Sequence, residues 1–583
     1  MRNGQTGSSR RRPLLGVVLV LTAVVLALAA VYVWQARSAY VHLTAAKERI
    51  PQLREQIVNG DPAADETAEA FAEDTGKART AVAGPHWAVL AAVPWVGPNV
   101  EAVRTVTDAA DDLAVDALPE LLQAAEVMDP ANLAPTNGRV PLAPIQAAAP
   151  HVGALQQEIA AADELLAEIE TGDLHERLRA PVTDLVATMS DLRAQTTTAA
   201  KAARLLPPML GAESPRHYLL MAQNNSELRA LGGMPGAAIL IRVDDGRVEL
   251  VEQRTAGEAG VFTEPVTRLT DAERTLYGTQ LGRYFSNVTS TPDFPRAAQL
   301  ARTMWRRTTG VTVDGVASVD PYALQLLLRA NGPVTLADGR TLDGRNAARI
   351  LLNEVYKVLD PEAQDQFFAT AAAAIFDKVM SGTDARATAA ALAEATSHGR
   401  LMLWSADPAE QKALGSTSLG GTLQGSRGNT PVVGVYLHDQ SRAKMDYYQY
   451  VDVEIRPACE PGDTVRLEVT LRSDLPRDIT DMPPSVIGTK LPPGHIRTAV
   501  LVYAPDGGLV TEARTSQASN WVSTHRHAGL HVTSRVVDLR PGRPVRLHYE
   551  LSVPDHPVGT VALRMTPGPT DRHYRTSALQ CNG

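Results

Sequence analysis

Cysteine, aromatic residues and surplus positive charge are all scarce in this sequence, and each shortage narrows the range of functions. Only two cysteines occur, Cys459 and Cys581, and no Cys-x-x-Cys pair is present, so neither zinc binding nor dithiol redox chemistry is indicated. In an exported protein, an even and minimal count predicts one disulfide between them. A formal net charge of −9 gives nucleic acid no electrostatic support as a partner. With aromatic residues at 5% and alanine used heavily, the composition suits long helices.

Several catalytic motifs are missing as well. The sequence has no P-loop, no Gly-x-Gly-x-x-Gly, no Gly-x-Ser-x-Gly and no His-Glu-x-x-His, each of which marks a known chemistry. Ser441 and Lys444 have the Ser-x-x-Lys spacing, but the partner motifs are absent and the surroundings predict strand or loop. His525, His527 and His531 share parity on a predicted strand, where ordinary exposed histidines are the alternative to a metal site.

A charge-free run near the N-terminus predicts the compartment. Three arginines at 10–12 precede Pro13–Trp34, about 22 residues against the roughly 20 that cross a bilayer. The basic cluster predicts a cytoplasmic tail at 1–12 and export of the rest. A cleaved signal peptide, with its cleavage site near Ala29, is the alternative. We therefore expect a single-pass anchor in the cell membrane and an extracytoplasmic bulk.

The periodicity of apolar residues divides the exported part into four segments. Residues 40–206 have helical periodicity interrupted by Gly and Pro, which predicts a bundle that serves as a stalk. Residues 213–414 alternate strands with helices and predict a mixed α/β domain. Residues 415–431 are rich in Gly, Ser and Thr and predict a loop. Residues 432–583 alternate apolar with polar positions and predict an antiparallel β-sandwich. The expected fold class is therefore multi-domain α+β, with an N-terminal transmembrane helix ahead of these parts.

One polar stretch of the α/β domain predicts a binding site. The residues NNSELRALGG (224–233) separate Tyr218–Ala222 from Ala237–Val243, two apolar runs short enough to be buried strands. We expect the stretch to connect the two strands at a sheet end, where binding groups usually lie. An ordinary polar turn is the alternative.

Arginines in the neighbouring segments predict an anion as the ligand. Arg254 follows a hairpin predicted at 244–246, and Arg283 lies in a polar segment ahead of a helix. If the sheet ends meet, these guanidinium groups converge with Arg229, and their geometry suits phosphate. Glycines beside them let a large anion approach the backbone. The alternative is that each arginine is a surface residue or an ion-pair partner of an acid such as Glu227.

Five segments resemble one bacterial family. They are PWVGPNVEAV, YLLMAQNNSELRALGGMPG, TPDFPRAAQLA, VDGVASVDPYALQLLL and AKMDYYQY. Together they resemble the membrane-anchored family built on the domain of unknown function numbered 4012, from about Pro94 to the C-terminus. That resemblance implies no particular function.

A second resemblance covers Tyr218 to Thr335. The order of strand, polar loop, hairpin, arginine, polar segment and helix is similar to the LytR-CpsA-Psr proteins. Those proteins have a single membrane anchor and transfer glycopolymers from a polyprenyl-pyrophosphate carrier to the cell wall, with arginines around the pyrophosphate. Their Arg-Ser-Asp-Thr, which supplies an acidic group near the metal, is replaced here by Gly-Gly-Met-Pro-Gly at 232–236, so Asp293 would have to substitute.

The resemblance implies a role in cell-envelope glycopolymer assembly or attachment, with a polyprenyl-pyrophosphate-linked glycan and peptidoglycan as partners and phosphotransfer as the reaction. A non-catalytic scaffold that binds polysaccharide or protein is the alternative. The residues implied for pyrophosphate binding are Asn224, Asn225, Arg229, Gly232, Gly233, Arg254, Arg283 and Asn287. The implied catalytic residues are Arg229, Arg254 and Asp293, with Asp293 also the ligand of a magnesium ion.

Overall fold

The computed structural model describes residues 11–128, 133–382, 384–457, 464–476, 478–479, 481–516, 522–553, 561–569 and 574–578. The chain forms two compact units. The first is built from residues up to Pro207, and the second from Pro208 onward together with Leu133–Pro141. The predicted disulfide of Cys459 and Cys581 lies outside the described residues.

The first unit is helical. Leu155, Ile159, Ala162 and Leu166 are buried on one face of a single helix, in agreement with the helical periodicity of residues 40–206. A π-helical segment, Leu113–Ala117, joins two of the helices. The α-helices are α1 (Arg11–Asn59), α2 (Ala63–Val82), α3 (Pro85–Ala91), α4 (Gly97–Asp112), α5 (Leu118–Val127), α6 (Ala143–Ala167) and α7 (Glu176–Met209), the last of which ends inside the second unit.

The transmembrane helix of the expected fold class needs correction. Pro13–Trp34 falls within α1, which continues without a break to Asn59 as part of one 49-residue helix. Within the part of the chain that the structure describes, no helix combines the length and the apolar character that a membrane span requires.

The α/β layer of the second unit contains a five-stranded sheet of order β3-β2-β1-β4-β7. Its β1 and β4 are parallel, and its other neighbours are antiparallel. The hairpin predicted at 244–246 is confirmed, because Asp244 pairs with Arg247 and both loop residues, Asp245 and Gly246, have positive φ, as a two-residue turn requires. The strands are β1 (Arg216–Arg229), β2 (Gly232–Asp244), β3 (Arg247–Thr255), β4 (Gly315–Val319) and β7 (Leu401–Ser405), with β5 (Val334–Thr335) and β6 (Thr341–Leu342) forming a separate pair.

Helices of the α/β layer begin where capping residues predict. Asp320 Oδ1 accepts a hydrogen bond of 2.8 Å from Ala323 N–H at the start of α11, so Asp320 caps this helix. A π-helical segment, Ile350–Glu354, joins α12 (Ala347–Arg349) to α13 (Val355–Val358) without a break in the helical backbone. The helices are α8 (Ala256–Ala259), α9 (Asp271–Tyr277), α10 (Phe294–Thr309), α11 (Pro321–Asn331), α12 (Ala347–Arg349), α13 (Val355–Val358), α14 (Pro361–Met380), α15 (Ala385–Ser397) and α16 (Pro408–Gly415).

The remainder of the second unit is a two-sheet sandwich. Its sheets have the orders β13-β16-β11-β10-β18 and β14-β15-β12-β9-β17. The purely antiparallel sandwich expected from the sequence is wrong at two edges, because β18 pairs with β10 and β17 with β9 in parallel. The strands are β8 (Ser426–Arg427), β9 (Thr430–Asp439), β10 (Gln449–Arg456), β11 (Val465–Ser473), β12 (Ile496–Tyr503), β13 (Val510–Thr515), β14 (Val522–His527), β15 (Leu530–Leu539), β16 (Val545–Leu551), β17 (Ala562–Met565) and β18 (Tyr574–Ala578), with one short helix, α17 (Pro484–Ile487).

Candidate functional site: a bulged strand and an apolar groove

The stretch NNSELRALGG is strand, not the expected connection. β1 continues through it to Arg229, and the turn into β2 is the residue pair 230–231. The pairing with β2 shifts between Asn224, which faces Met234, and Leu228, which faces Gly233. Residues 225–227 therefore bulge out of the ladder, and their polar groups must find partners elsewhere.

The partners of this bulge come from distant parts of the second unit. Asn224 Nδ2 donates to the Tyr356 hydroxyl at 2.9 Å, and Ser226 Oγ donates to the Leu352 carbonyl. Leu228 N–H donates to Asp446 Oδ2 at 2.8 Å. Because buried polar groups without partners are costly, this set of bonds fixes the bulge in one conformation.

The backbone geometry explains why glycine occupies positions 232 and 233. Gly232 has φ +125°, and a Cβ at Gly233 would lie 2.4 Å from the Asn224 carbonyl oxygen. The close approach of β2 to the bulge therefore excludes any side chain at Gly233. The contact that these glycines permit is with the neighbouring strand.

A buried ion pair supports the same bulge. Arg400 Nη1 donates to Asp320 Oδ2 at 2.6 Å, and the two side chains are 5% and 2% exposed. Asn225 Nδ2 donates to the same carboxylate oxygen at 3.1 Å. Asp320 thus joins the bulge, the α11 cap and a buried arginine through a single carboxylate.

The three arginines expected to converge have different partners and share none of them. Arg229 donates to Asn287 Oδ1 at 3.2 Å and to its neighbouring backbone. Arg254 pairs with Glu252 at 2.6 Å and lies over the ring of Trp305. Arg283 donates to a backbone carbonyl and lies over the ring of its own neighbour. Of the candidate pyrophosphate ligands, the structure places Arg229 beside Asn287, whereas Arg254 and Arg283 have other partners.

Asp293 accepts backbone hydrogen bonds and forms no ion pair with these three arginines. Its Oδ1 accepts from Leu423 N–H at 3.0 Å, and burial raises the pKa of its carboxyl. In the described ranges, no group of three or more His, Cys, Asp or Glu side chains is arranged to hold a metal ion. The carboxylate expected to bind magnesium thus accepts a backbone hydrogen bond, and magnesium binding by Asp293 stays a prediction.

An apolar groove lies between the β1–β2–β3 face and helices α11 and α14. It is a cavity of about 410 Å³, within the range of about 300–1,000 Å³ typical of small-molecule sites. Small residues on α14 leave it open, among them Ala369 and Ala372. The apolar residues of its wall include Ile239, Leu324, Leu351, Phe368 and Ile375.

Charged groups line the same groove. Arg254 and Lys444 supply positive charge, and Glu258 and Asp365 supply negative charge. Lys444 Nζ also pairs with Glu227 at 2.6 Å and lies 5.0 Å from the ring centre of Tyr356. Burial, and then repulsion from Glu258, raise the pKa of Asp365. Arg254 and Asn224 are the two candidate residues that the structure brings into the groove.

Sequence reasoning missed Lys444 and the alanine-lined wall of α14. In the sequence, Lys444 belongs to Ser-x-x-Lys and to the segment AKMDYYQY, and neither pattern indicates a groove. The four consecutive alanines at 371–374 were the available indication, because small side chains on a core-facing helix leave space beside a sheet.

A buried acidic pair lies beside Arg229. Asp446 is 1% exposed, and Asp439 is 5% exposed. Burial, and then repulsion from Asp439, raise the pKa of Asp446 well above its ordinary value. Attraction to Arg229 and the bond from Leu228 N–H oppose this rise without cancelling it. Of the two buried acids, Asp446 therefore has the stronger preference for the protonated form in the folded protein.

Asp446→Asn is expected to flatten the pH dependence of stability. The folded protein holds a proton on Asp446 that the unfolded chain loses above about pH 4. The stability that this bound proton contributes to the folded protein is fully present below about pH 4. It is lost as the pH rises through the raised pKa of Asp446 in the folded state. The amide keeps an acceptor for Leu228 N–H and has no proton to lose. We expect the thermal midpoint of the variant, relative to the unsubstituted protein, to rise between about pH 5 and pH 8. Equal differences at both pH values would mean that Asp446 is ionised in the fold.

Comparison with known proteins gives one match. A family model described as protein of unknown function (DUF4012) matches residues 213–356, which is less than half of the chain. The match covers β1 to β6 and ends at Tyr356, so it includes the bulge and much of the groove wall. No curated protein matches the chain. The broader likeness expected from Pro94 to the C-terminus is thus found over a shorter range, and the LytR-CpsA-Psr resemblance stays a prediction.

Proposed function

We propose that the groove binds the isoprenoid chain of a polyprenyl-pyrophosphate-linked glycan, and that the protein thereby acts in assembly or attachment of a cell-envelope glycopolymer. One observation carries the proposal: an apolar groove runs beside the sheet and has Arg254 and Lys444 in its wall. Concave, mostly apolar sites with a few polar groups are typical of small-ligand binding. Peptidoglycan as the acceptor and a location outside the cytoplasm stay predictions.

The apolar chain is expected to supply most of the affinity. Each buried methylene contributes about 0.8 kcal/mol, whereas a partly exposed ion pair contributes roughly 0–1 kcal/mol. A contact of Arg254 with the head group would be such a partly exposed ion pair, because the Arg254 side chain is 30% exposed and already paired with Glu252. The cations therefore orient the head group more than they hold the ligand.

The proposal includes a magnesium ion, which two carboxylates of the groove wall would hold. Glu258 and Asp365 lie close enough that Glu258 raises the pKa of Asp365. Magnesium is commonly held by one or two carboxylates together with phosphate oxygens of the ligand. When bound, it would neutralise pyrophosphate charge beside these acids, so the ligand titration includes arms with and without the ion.

Arg254→Gln is expected to weaken binding of a short polyprenyl pyrophosphate to the full-length protein by up to about fivefold, or about 1 kcal/mol. The loss reflects one charge-assisted contact with the head group. Lys444→Gln is expected to act in the same direction. Isothermal titration with magnesium present measures both effects.

Arg283→Gln is the matched control for this titration. It removes the same charge from a residue outside the groove wall, where Arg283 Nε donates to the Phe262 carbonyl. Its affinity should equal that of the unsubstituted protein. Equal weakening by Arg254→Gln and Arg283→Gln would assign the effect to net charge and count against a head-group contact.

The non-catalytic scaffold is the second candidate, and the separated arginines favour it. A transfer step needs groups that converge on the pyrophosphate, whereas Arg229 and Arg283 both donate to protein acceptors. The proposal therefore extends to binding, and phosphotransfer stays a prediction. Binding of a lipid-free glycan with unchanged affinity in Arg254→Gln would favour the scaffold.

A further inference from the structure

A second cavity of the same unit is lined by basic side chains. It measures about 450 Å³ and lies between the end of α15, the loop before β9 and strand β17. We call it the basic pocket. Its polar wall includes His398, Arg400, Ser418, Gln424, Arg427 and Arg564, and no Asp or Glu is among the described residues that line it.

Arg400 lines the basic pocket, and one of its N–H donors has no partner among the described residues. Its Nη1 donates to Asp320 and to the Gly568 carbonyl. Its Nε is buried and has no partner in the described part of the chain. A buried N–H without an acceptor carries a desolvation cost of about 1–3 kcal/mol. An anion bound in the pocket would lower this cost, because its negative charge stabilises the guanidinium group that it contacts.

Two further arginines of the basic pocket make no ion pair with a described carboxylate. Arg427 donates to Ser418 Oγ at 2.8 Å, and Arg564 Nη1 donates to the Thr422 carbonyl at 2.6 Å. Each of these bonds is to a neutral oxygen. The Asp293 carboxylate attracts Arg564, yet no described carboxylate lies within ion-pair distance of either arginine. Guanidinium groups in such a setting are suited to phosphate oxygens, which they bind through two parallel N–H groups.

The helix end at the pocket does not oppose an anion. The last carbonyls of α15 point toward this region and carry partial negative charge. They are capped, however, because Gly399 has φ +68° and its N–H donates to Thr396, while Arg400 N–H donates to Ala395. This arrangement is the Schellman motif, which satisfies the terminal carbonyls.

We propose that the basic pocket binds a phosphate group, either free or carried as a phosphate ester on a sugar or glycan. The site is separate from the groove, with which it shares no lining residue, and the proposal does not depend on the function assigned to the groove. The Ser418 hydroxyl, whose oxygen accepts from Arg427, supplies a further donor to the anion through its own O–H group.

The proposal is tested by titrating the full-length protein with inorganic phosphate, a sugar 1-phosphate and a phosphodiester at constant ionic strength, with acetate as the reference anion. We expect saturable binding of at least one phosphate and none of acetate. The arm that binds tightest identifies whether the phosphate is free, a monoester or a polymer-like diester. Arg427→Gln combined with Arg564→Gln is expected to weaken that binding at least tenfold.

Arg306→Gln combined with Arg543→Gln is the matched control. It removes the same charge from two exposed arginines that do not line the pocket, and should leave phosphate affinity unchanged. Thermal midpoints of both double variants verify folding. Absence of saturable phosphate binding to the unsubstituted protein, or equal weakening by the two double variants, would overturn the proposal.

Discussion

Ala372→Phe is expected to abolish binding of a short polyprenyl pyrophosphate to the full-length protein. Ala372 lies on α14 and lines the groove, so a phenyl ring there occupies the volume meant for the apolar chain. Because the chain supplies most of the affinity, the expected loss is a hundredfold or more, about 2.8 kcal/mol. Isothermal titration measures it directly.

Ala373→Phe is the control for the filled groove. Ala373 is the next residue of the same helix, is exposed and does not line the groove. It receives the same increase in side-chain volume and the same change in helix propensity, so ligand affinity should be unchanged. If Ala372→Phe binds the lipid as tightly as Ala373→Phe does, the chain is bound elsewhere.

Asp320→Ala is expected to destabilise the second unit by about 3–5 kcal/mol, because removing one partner of a buried ion pair leaves an uncompensated charge. Arg400, at 5% exposure, would lose its counter-charge. The α11 cap would lose its acceptor for Ala323 N–H, and Asn225 would lose its buried partner. The thermal midpoint, or the urea midpoint of the transition of this unit, measures the loss.

Asp320→Asn separates the charge from the cap. Asparagine is as good a capping residue as aspartate and keeps an oxygen for one donor, yet it carries no charge for Arg400. Its stability should lie between those of the alanine variant and the unsubstituted protein. Surface substitutions usually change the free energy of unfolding by no more than about 0.5 kcal/mol. A change of that size for Asp320→Ala would contradict the role of this ion pair.

Local elements were predictable because their determinants are local. The 244–246 hairpin needs positive φ at Asp245 and Gly246, and α11 needs an acceptor at Asp320 ahead of Pro321. Both requirements are visible in a few adjacent residues. The strand and helix boundaries beside them therefore follow from the sequence to within a few residues.

The bulge in β1 was not predictable, because its polar groups are satisfied by residues far along the chain. Asn225 bonds to a residue 95 positions away, and Ser226 to one 126 positions away. A polar run without visible partners predicts a solvent-facing loop, and only tertiary structure supplies the partners. The parallel edges of the sandwich were missed for a related reason, since period-two alternation does not encode strand direction.

The candidate site was predictable only in part. Arg254 and Asn224 do line the groove, but Arg229 and Arg283 are held by nearby protein acceptors. The alternative that each arginine pairs with an acid applies to Arg254, whose partner is Glu252. The groove itself is empty volume beside small residues of α14, and volume has no sequence motif.

The most direct test of the account is titration of the unsubstituted full-length protein with a short polyprenyl pyrophosphate, with the polyprenyl alcohol of the same length as competitor. The account predicts saturable binding that the alcohol displaces, because the apolar chain in the groove carries most of the affinity. Absence of saturable binding, or binding that the alcohol leaves untouched at any concentration, would contradict it.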